Sequence, residues 1–215
     1  MLEQLFTRRI TSAVVALAAT NLIFLSTQTW AVESPTMMIR TTVERAMAIL
    51  ENPAYQGDAN FQQRLQKLET VVLPQIDSWE FSRRCLGQHW QTLNESQRQE
   101  FIELFKSLLE KIYGGVLNRY PNGAEFSYDE ERIEGNFAEV RTRIRNPTQD
   151  TQFSVVYRLH QKDGKWLIYD VVTENVSMVR NYQTQFHRIL NKSSYEGLRD
   201  ALKRKIAQLE TEPPS

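Results

Sequence analysis

The hydrophobic pattern of this chain changes its period at Pro121-Asn122-Gly123. Before this turn, apolar residues recur every three or four positions, as on one face of a helix, and after it they alternate with polar residues, as on a half-buried strand. Helices and strands that occur in separate runs are typical of α+β folds. The sequence therefore predicts one domain in which a helical layer covers one face of a curved antiparallel sheet.

Start and stop signals predict four helices ahead of the turn. They cover about 35–51, 58–72, 76–86 and 95–118. Ser34 followed by Pro35 is a typical N-cap, Gly87 is a typical helix terminator, and Asn94 with Gln97 forms a capping box. The longest helix carries an apolar, aromatic-rich stripe of Phe101, Leu104, Phe105, Leu108 and Ile112.

About four strands are expected after the turn, beginning at 126–128 and continuing over 136–145, 152–160 and 166–173. In the second of them Ala138 and Val140 alternate with Glu139 and Arg141, which indicates one buried face and one polar face. Asp163-Gly164 is a hairpin signal. Two final helices are predicted after the strands, one beginning after Ser177 and the other after Ser193 or Ser194. Helices therefore precede and follow the strands along the chain.

The first 31 residues have the pattern of a secretory signal peptide. Arg8-Arg9 precede an apolar run of sixteen residues, Ile10 to Leu25, and Thr29 and Ala31 provide small residues before the expected cleavage point. An uncleaved anchor is the alternative, but the run is shorter than the ~20 apolar residues of a spanning helix. We therefore expect residues 1–31 to be removed, residues 32–210 to form the domain and residues 211–215 to be a flexible tail.

Charge and motif content exclude several functional classes. Lys and Arg total 26 and Asp and Glu total 26, so the chain lacks the excess positive charge that nucleic-acid binding requires. His89, His160 and His187 are far apart in sequence, and no cysteine pair or glycine-rich phosphate loop is present, so we expect no metal and no nucleotide cofactor. No catalytic motif is recognised.

Asp170 departs from the pattern of its strand. Regular alternation places it on the same face as Trp166, Ile168 and Val172, where a carboxylate must be paired or neutral. We interpret it as a structural residue paired with Arg158 or Arg141. A general base in a cavity is the alternative, and it predicts an enzyme.

Two segments resemble the MlaC family, also called toluene-tolerance auxiliary components. The first is WLIYDVVTENVSMVRNYQTQF over 166–186, and the second is LGQHW over 86–90, followed by SQRQEF over 96–101 and by Phe105. The similarity extends from about Thr42 to Leu209. Asn175 stands where many members have Gly. Asn is the usual substitute for Gly at a position with left-handed backbone conformation. Gln183 stands where many have Arg, which removes a charge from the helix after the last strand.

The resemblance implies a periplasmic phospholipid carrier with a cone-shaped fold and an apolar acyl-chain pocket. Its expected partners are an inner-membrane ABC transporter complex with its substrate-binding subunit and an outer-membrane lipoprotein-porin complex, and its expected role is to maintain outer-membrane lipid asymmetry. Phospholipid is the cargo and no cofactor is expected. A carrier of hopanoid-type polycyclic lipids and an enzyme using Asp170 remain the alternatives.

We expect the pocket between the stripe of the long helix and the apolar face of the sheet. The expected lipid-binding residues are Phe101, Phe105, Leu108, Leu109 and Ile112 of the helix, Val140, Val155 and Tyr157 of the sheet, and Val172, Val176, Met178 and Tyr182 around the end of the last strand.

Overall fold

The computed structural model describes residues 33–118 and 123–211, so the expected signal peptide and most of the expected tail lie outside the described residues. The elements within these ranges are α1 (Pro35–Leu50), α2 (Phe61–Val72), α3 (Ser78–Leu86), α4 (Glu95–Asn118), β1 (Glu125–Glu134), β2 (Phe137–Asn146), β3 (Thr151–Lys162), β4 (Lys165–Thr173), β5 (Val176–Ser177), α5 (Met178–Leu190) and α6 (Tyr195–Thr211). The predicted α+β fold is confirmed.

The sheet is an antiparallel meander in the order β1-β2-β3-β4-β5. Four long strands match the prediction, and β5 adds two residues that pair with the end of β4. Asp163 and Gly164 both have positive φ, at 50° and 75°, as the β3–β4 hairpin turn requires.

Side-chain caps set the helix boundaries. The backbone amide of Gln97 donates to Asn94 Oδ1 over 2.9 Å and the amide of Asn94 donates to Gln97 Oε1 over 3.0 Å, which is the predicted capping box at the start of α4. The third helix begins at Ser78, two residues later than predicted, because Asp77 accepts a hydrogen bond from the amide of Glu80 and is its N-cap.

The inner face of the sheet is covered by α1. Ala138, Leu159 and Ile168 form a buried row across β2, β3 and β4. Met38 and Ile39 of α1 belong to the same apolar cluster. Burial of this face follows the alternation of apolar residues that the sequence shows in β2.

The stripe on α4 packs mainly against other helices. Phe101, Phe105 and Leu108 belong to a second cluster with residues of α3, α5 and α6, whereas Val140 and Leu159 of the sheet belong to the cluster with α1. The expectation that this stripe faces the apolar face of the sheet thus holds only for Phe105 and Leu109, which line a cavity together with Ile168 and Val171 of β4. Periodicity identifies which helix face is buried, but it does not identify the element that buries it.

An extra residue in β4 changes the predicted orientation of Asp170. Arg158 and Leu159 are adjacent in β3, yet they pair with Asp170 and Ile168, so Tyr169 is a bulge. The bulge places Asp170 on the face opposite to Ile168, and the prediction that these two residues share a face is wrong. Single-residue bulges leave no signal in an otherwise regular alternation.

Candidate functional site

A cavity of about 240 Å³ lies between α2, α3, α4 and the inner face of β4. Its walls are mostly aliphatic and aromatic. They comprise Leu65, Leu68 and Val72 of α2, Leu73 and Ile76 of the following turn, Phe81 of α3, Ile102, Phe105, Leu109 and Tyr113 of α4, Ile168 and Val171 of β4, and Met178 of α5. Such walls exclude polar ligands and favour hydrocarbon.

The bulge at Tyr169 shapes the β4 wall. Ile168 and Val171 are three positions apart, so in a regular strand they would point to opposite faces. Because Tyr169 is an extra residue, Val171 pairs with Tyr157 and Ile168 pairs with Leu159, and both side chains reach the cavity. An irregularity in the strand thus widens the apolar wall.

Gly114 sets the distance between α2 and α4 where both helices line the cavity. A Cβ atom at this position would lie 3.3 Å from Leu65 Cδ2, which is tighter than ordinary van der Waals contact. Gly114 is therefore a close-packing position of α4. The absence of a side chain at Gly114 lets Leu65 form the wall.

Phe105 connects the cavity with the helical cluster. Its ring lies 5.8 Å from that of Phe81 and 4.9 Å from that of Tyr182, in tilted and edge-to-face geometry. Such contacts fix the orientation of the ring that the cavity exposes. The cavity wall is therefore anchored in a packed core.

Charged side chains at the cavity come from α2 and α4. Lys106 Nζ lies 3.7 Å from Glu110 Oε1, and both side chains remain partly exposed, by 40% and 30%. Glu69 of α2 also lines the cavity. Burial raises the pKa of Glu110, and the neighbouring charge of Glu69 raises it further despite Lys106. We call Glu69, Lys106 and Glu110 the charged rim.

Asp170 lies away from the cavity wall and is fully engaged in hydrogen bonds. Its carboxylate accepts from Ser177 Oγ over 2.7 Å, from the amide of Val179 over 3.0 Å and from Arg158 over 3.2 Å. The first two donors belong to the start of α5, so the carboxylate joins this helix to β4. Arg158 is one of the two arginines expected to pair with it.

Other reactive groups are also occupied. Cys85 is fully buried, and burial together with the charge of Asp170 raises the pKa of its thiol, so it is not a reactive nucleophile. His89 Nε2 lies 3.0 Å from His187 Nδ1. Among the residues that the structure describes, no three His, Cys, Asp or Glu side chains form a group able to hold a metal ion.

Three of the twelve expected lipid-binding residues line the cavity: Phe105, Leu109 and Met178. Phe101, Leu108 and Tyr182 are buried in the helical cluster, and Ile112 packs against it. Val140 and Tyr157 belong to the cluster under α1, and Val155 is buried on the same sheet face. Val172 lies on the opposite face, and Val176 is 59% exposed.

Sequence reasoning missed the contribution of α2. Leu65, Leu68 and Val72 follow one another at helical spacing and form one wall of the cavity, with Ile76 just beyond. The apolar spacing was visible in the sequence, but the same pattern is typical of ordinary core helices. Ile168 and Val171 were missed because their common face depends on the bulge.

Comparison with known proteins places this fold in a family. The sequence matches the family described as MlaC protein over residues 40–204. It is 24% identical over 193 residues to the intermembrane phospholipid transport system binding protein MlaC of Haemophilus influenzae, across 86% of this chain and 88% of that protein.

The fold is also similar to a solved structure of a phospholipid-binding protein from Ralstonia solanacearum in complex with a phospholipid. The TM-score is 0.73 at 25% identity, across 81% of this chain and 97% of that chain. No helix within residues 33–118 and 123–211 is long and apolar enough to cross a membrane. Because the family match spans most of the chain and the predicted order of helices and strands is observed, the chain belongs to the MlaC family.

Proposed function

We propose that this chain carries a phospholipid between membranes, with acyl chains held in the cavity between α2, α3, α4 and β4. The observation that carries the proposal is the distribution of polarity: hydrocarbon walls extend from Leu65 to Ile168, and charge is concentrated at the rim formed by α2 and α4. An amphipathic molecule matches this arrangement. The Haemophilus relative named for intermembrane phospholipid transport and the Ralstonia relative with its bound phospholipid support it.

The physical task favours a carrier that releases its cargo by contact. Burial of each CH₂ contributes about 0.8 kcal/mol, so the transfer of two acyl chains from an apolar site into water costs a free energy on the order of 20 kcal/mol. The proposed partners are an inner-membrane ABC transporter complex with its substrate-binding subunit and an outer-membrane lipoprotein-porin complex. Transfer between them would maintain outer-membrane lipid asymmetry.

The cavity must widen to hold a whole diacyl lipid. Its volume of about 240 Å³ suits part of an acyl chain, and small-molecule sites commonly measure roughly 300–1,000 Å³. Leu65 and Met178 line it with flexible aliphatic side chains, which can be displaced at low cost compared with a rigid ring. The lipid-free protein is thus expected to close around its cavity.

No chemical step is assigned to the cavity. Its polar lining residues are Glu69, Ser78, Ser82, Lys106, Tyr113 and Glu110. They do not form a nucleophile paired with a base, and Asp170 is engaged elsewhere. We therefore propose that the protein binds and transports a phospholipid, catalyses no reaction and uses no cofactor.

Export by a cleaved signal peptide is part of the proposal. We expect periplasmic protein to begin at Val32, because Ala31 ends the signal pattern. Intact-mass measurement of protein from a periplasmic extract tests it. Retention of Met1 in a membrane fraction would show that the segment is an anchor.

Lipid analysis of the purified protein tests the proposed cargo. Protein isolated without detergent is extracted with organic solvent, and the extract is quantified by mass spectrometry against a non-lipid-binding protein from the same preparation. We expect close to one phospholipid for each protein molecule. Recovery of polycyclic lipid in its place, or of no lipid, would contradict the proposal.

A further inference from the structure

The walls of the cavity differ in how firmly they are attached to the rest of the molecule. The start of α3 is tied to the sheet, because Asp77 accepts a hydrogen bond from Lys162 of β3 over 2.9 Å. The wall on α4 is anchored by Phe105, whose ring packs edge-to-face on that of Tyr182 of α5. The wall on β4 belongs to the sheet and pairs with β3 along its length. The remaining wall is α2.

The packing of α2 differs from that of every other helix. Each of α1, α3, α4, α5 and α6 contributes side chains to one of the two apolar clusters, whereas no described residue of α2 belongs to either. The apolar side chains Leu65, Leu68 and Val72 face the cavity instead. Because helices in proteins are stabilised mainly by the packing of their apolar face, α2 is held less firmly than its neighbours. A ligand in the cavity would supply the contacts that α2 lacks.

Polar contacts do not fasten α2 to the other walls either. In the part of the chain that the structure describes, the one side-chain hydrogen bond that leaves this helix is donated by Arg64 to the carbonyl of Tyr55, in the turn just before it. No described ion pair joins α2 to α3, α4 or the sheet. Where α2 meets α4, Leu65 lies against Gly114, which has no side chain to interlock with it.

Both ends of α2 are connected to the molecule through turns. Before the helix, Gly57 has a φ of 83°, and a Cβ atom there would have no neighbour within 4 Å. Asn60 precedes the helix without giving it a side-chain cap. After the helix, the 3₁₀ turn Leu73–Gln75 leads to Ile76, which pairs with Ile168 of β4 and ties the chain to the sheet again. The helix can therefore move while the chain on either side stays in place.

We infer that α2 is the lid of the cavity. It swings outward about Gly57 and the turn Leu73–Gln75 to admit acyl chains, and it closes over them again. This motion separates apolar surfaces but breaks no described side-chain hydrogen bond between α2 and the other walls, which remain in place. The inference rests on the proposed function and adds the route by which the cargo enters and leaves.

A disulfide between α2 and α4 tests the lid. A side chain at position 114 would contact that of residue 65, so the double variant Leu65→Cys/Gly114→Cys brings two thiols together across the two helices. The native Cys85 does not interfere, because it is fully buried and burial raises the pKa of its thiol. Lipid-free oxidised and reduced forms are incubated with dioleoyl phosphatidylglycerol in micelles of a mild detergent, and bound lipid is followed over time by native mass spectrometry.

The reduced double variant is expected to take up lipid as wild type does, and the oxidised form at least about ten-fold more slowly, with recovery after addition of a reductant. The single variants Leu65→Cys and Gly114→Cys, treated with the same oxidant, are the matched controls and should take up lipid normally. Equal uptake by both forms, with the disulfide established by intact mass, would overturn the lid and leave lipid binding intact. Absence of uptake by wild type would overturn the proposed function, and this inference with it.

Hydrogen exchange of the wild-type protein is a second measurement, which needs no substitution. A helix that leaves its neighbours loses the packing that stabilises it, so the amides of α2 should exchange faster than those of α3 and should become protected when lipid is bound. Amides of α2 that are as protected as those of α3, with no change on lipid binding, would overturn the lid.

Discussion

The burial of Asp170 and one of its partners can be predicted from the sequence, but its other partners cannot. An acidic residue within an apolar strand predicts a buried, paired carboxylate, and the structure shows it 2% exposed with Arg158 as a partner. Its other partners, Ser177 and the amide of Val179, were not predicted. They depend on the reversal of the chain after β4, which no local pattern specifies.

Replacing Asp170 with Asn is expected to destabilise the fold by about 2–3 kcal/mol, because the charged acceptor of three hydrogen bonds is lost in a buried place. Urea unfolding measures the change. Lipid bound per folded molecule should stay at the wild-type level, since Asp170 is not part of the cavity wall.

Asp200→Asn is the control, because Asp200 is half exposed and forms a surface ion pair with Arg199. It should change stability by less than about 0.5 kcal/mol. Unchanged stability of Asp170→Asn together with a loss of function would contradict the structural role and favour an enzyme.

Among the elements, α1 was predicted with the correct bounds, but its packing against the sheet was not predicted. Helix signals at Ser34-Pro35 and Asn52-Pro53 depend on local chemistry and are visible in a sequence. The partner of the helix depends on long-range packing. For that reason the stripe of α4 was expected to cover the sheet, whereas α1 packs directly on it and α4 faces β4 across the cavity.

Neighbouring positions of α1 test this packing. Ile39 is 1% exposed and Met37 is 49% exposed. Ile39→Ala should cost about 2–5 kcal/mol because it opens a cavity under the sheet, whereas Met37→Ala should be nearly neutral. Equal effects of the two substitutions on the urea midpoint would show that α1 does not cover the sheet.

A second element, α3, is tied to the sheet through Asp77. The carboxylate accepts from Lys162 over 2.9 Å and lies 3.2 Å from His160 Nε2, both on β3. Burial alone would raise the pKa of Asp77, but the hydrogen bonds from the Glu80 amide and from Lys162 outweigh it, so the pKa is lowered.

Stability should therefore depend on pH through Asp77. Because the folded pKa lies below the unfolded value of about 3.9, the contribution is complete above that value and is lost as pH falls through the folded pKa. Asp77→Asn should lower stability at pH 7 and flatten the loss on acidification below about pH 4. Urea unfolding at several pH values measures both, with Asp200→Asn as control. An unchanged acid slope would contradict this role.

At the scale of the whole molecule, two apolar clusters meet around Ile76, which packs against both and also lines the cavity. Sequence pattern identified the apolar stripe of α4 and the alternating faces of the strands, which contribute residues to these two clusters. It did not separate a filled core from a cavity, because both require the same residue types at the same spacing. Only the family resemblance predicted a pocket, and the cavity that we propose as this pocket is lined by α2 as well as α4.

The central claim is that the cavity holds acyl chains. Leu109 lines it, whereas Val176 of β5 is exposed and is not among the lining residues. A carboxylate at position 109 would be placed among hydrocarbon without a hydrogen-bond partner and should exclude the lipid. The same substitution at position 176 remains in water.

Native mass spectrometry of wild type, Leu109→Glu and Val176→Glu, with circular dichroism to establish folding, tests this claim most directly. We expect wild type and Val176→Glu to retain a phospholipid and folded Leu109→Glu to retain little or none. A full lipid complement on folded Leu109→Glu, or loss of lipid from Val176→Glu alone, would contradict the assignment of this cavity as the lipid site.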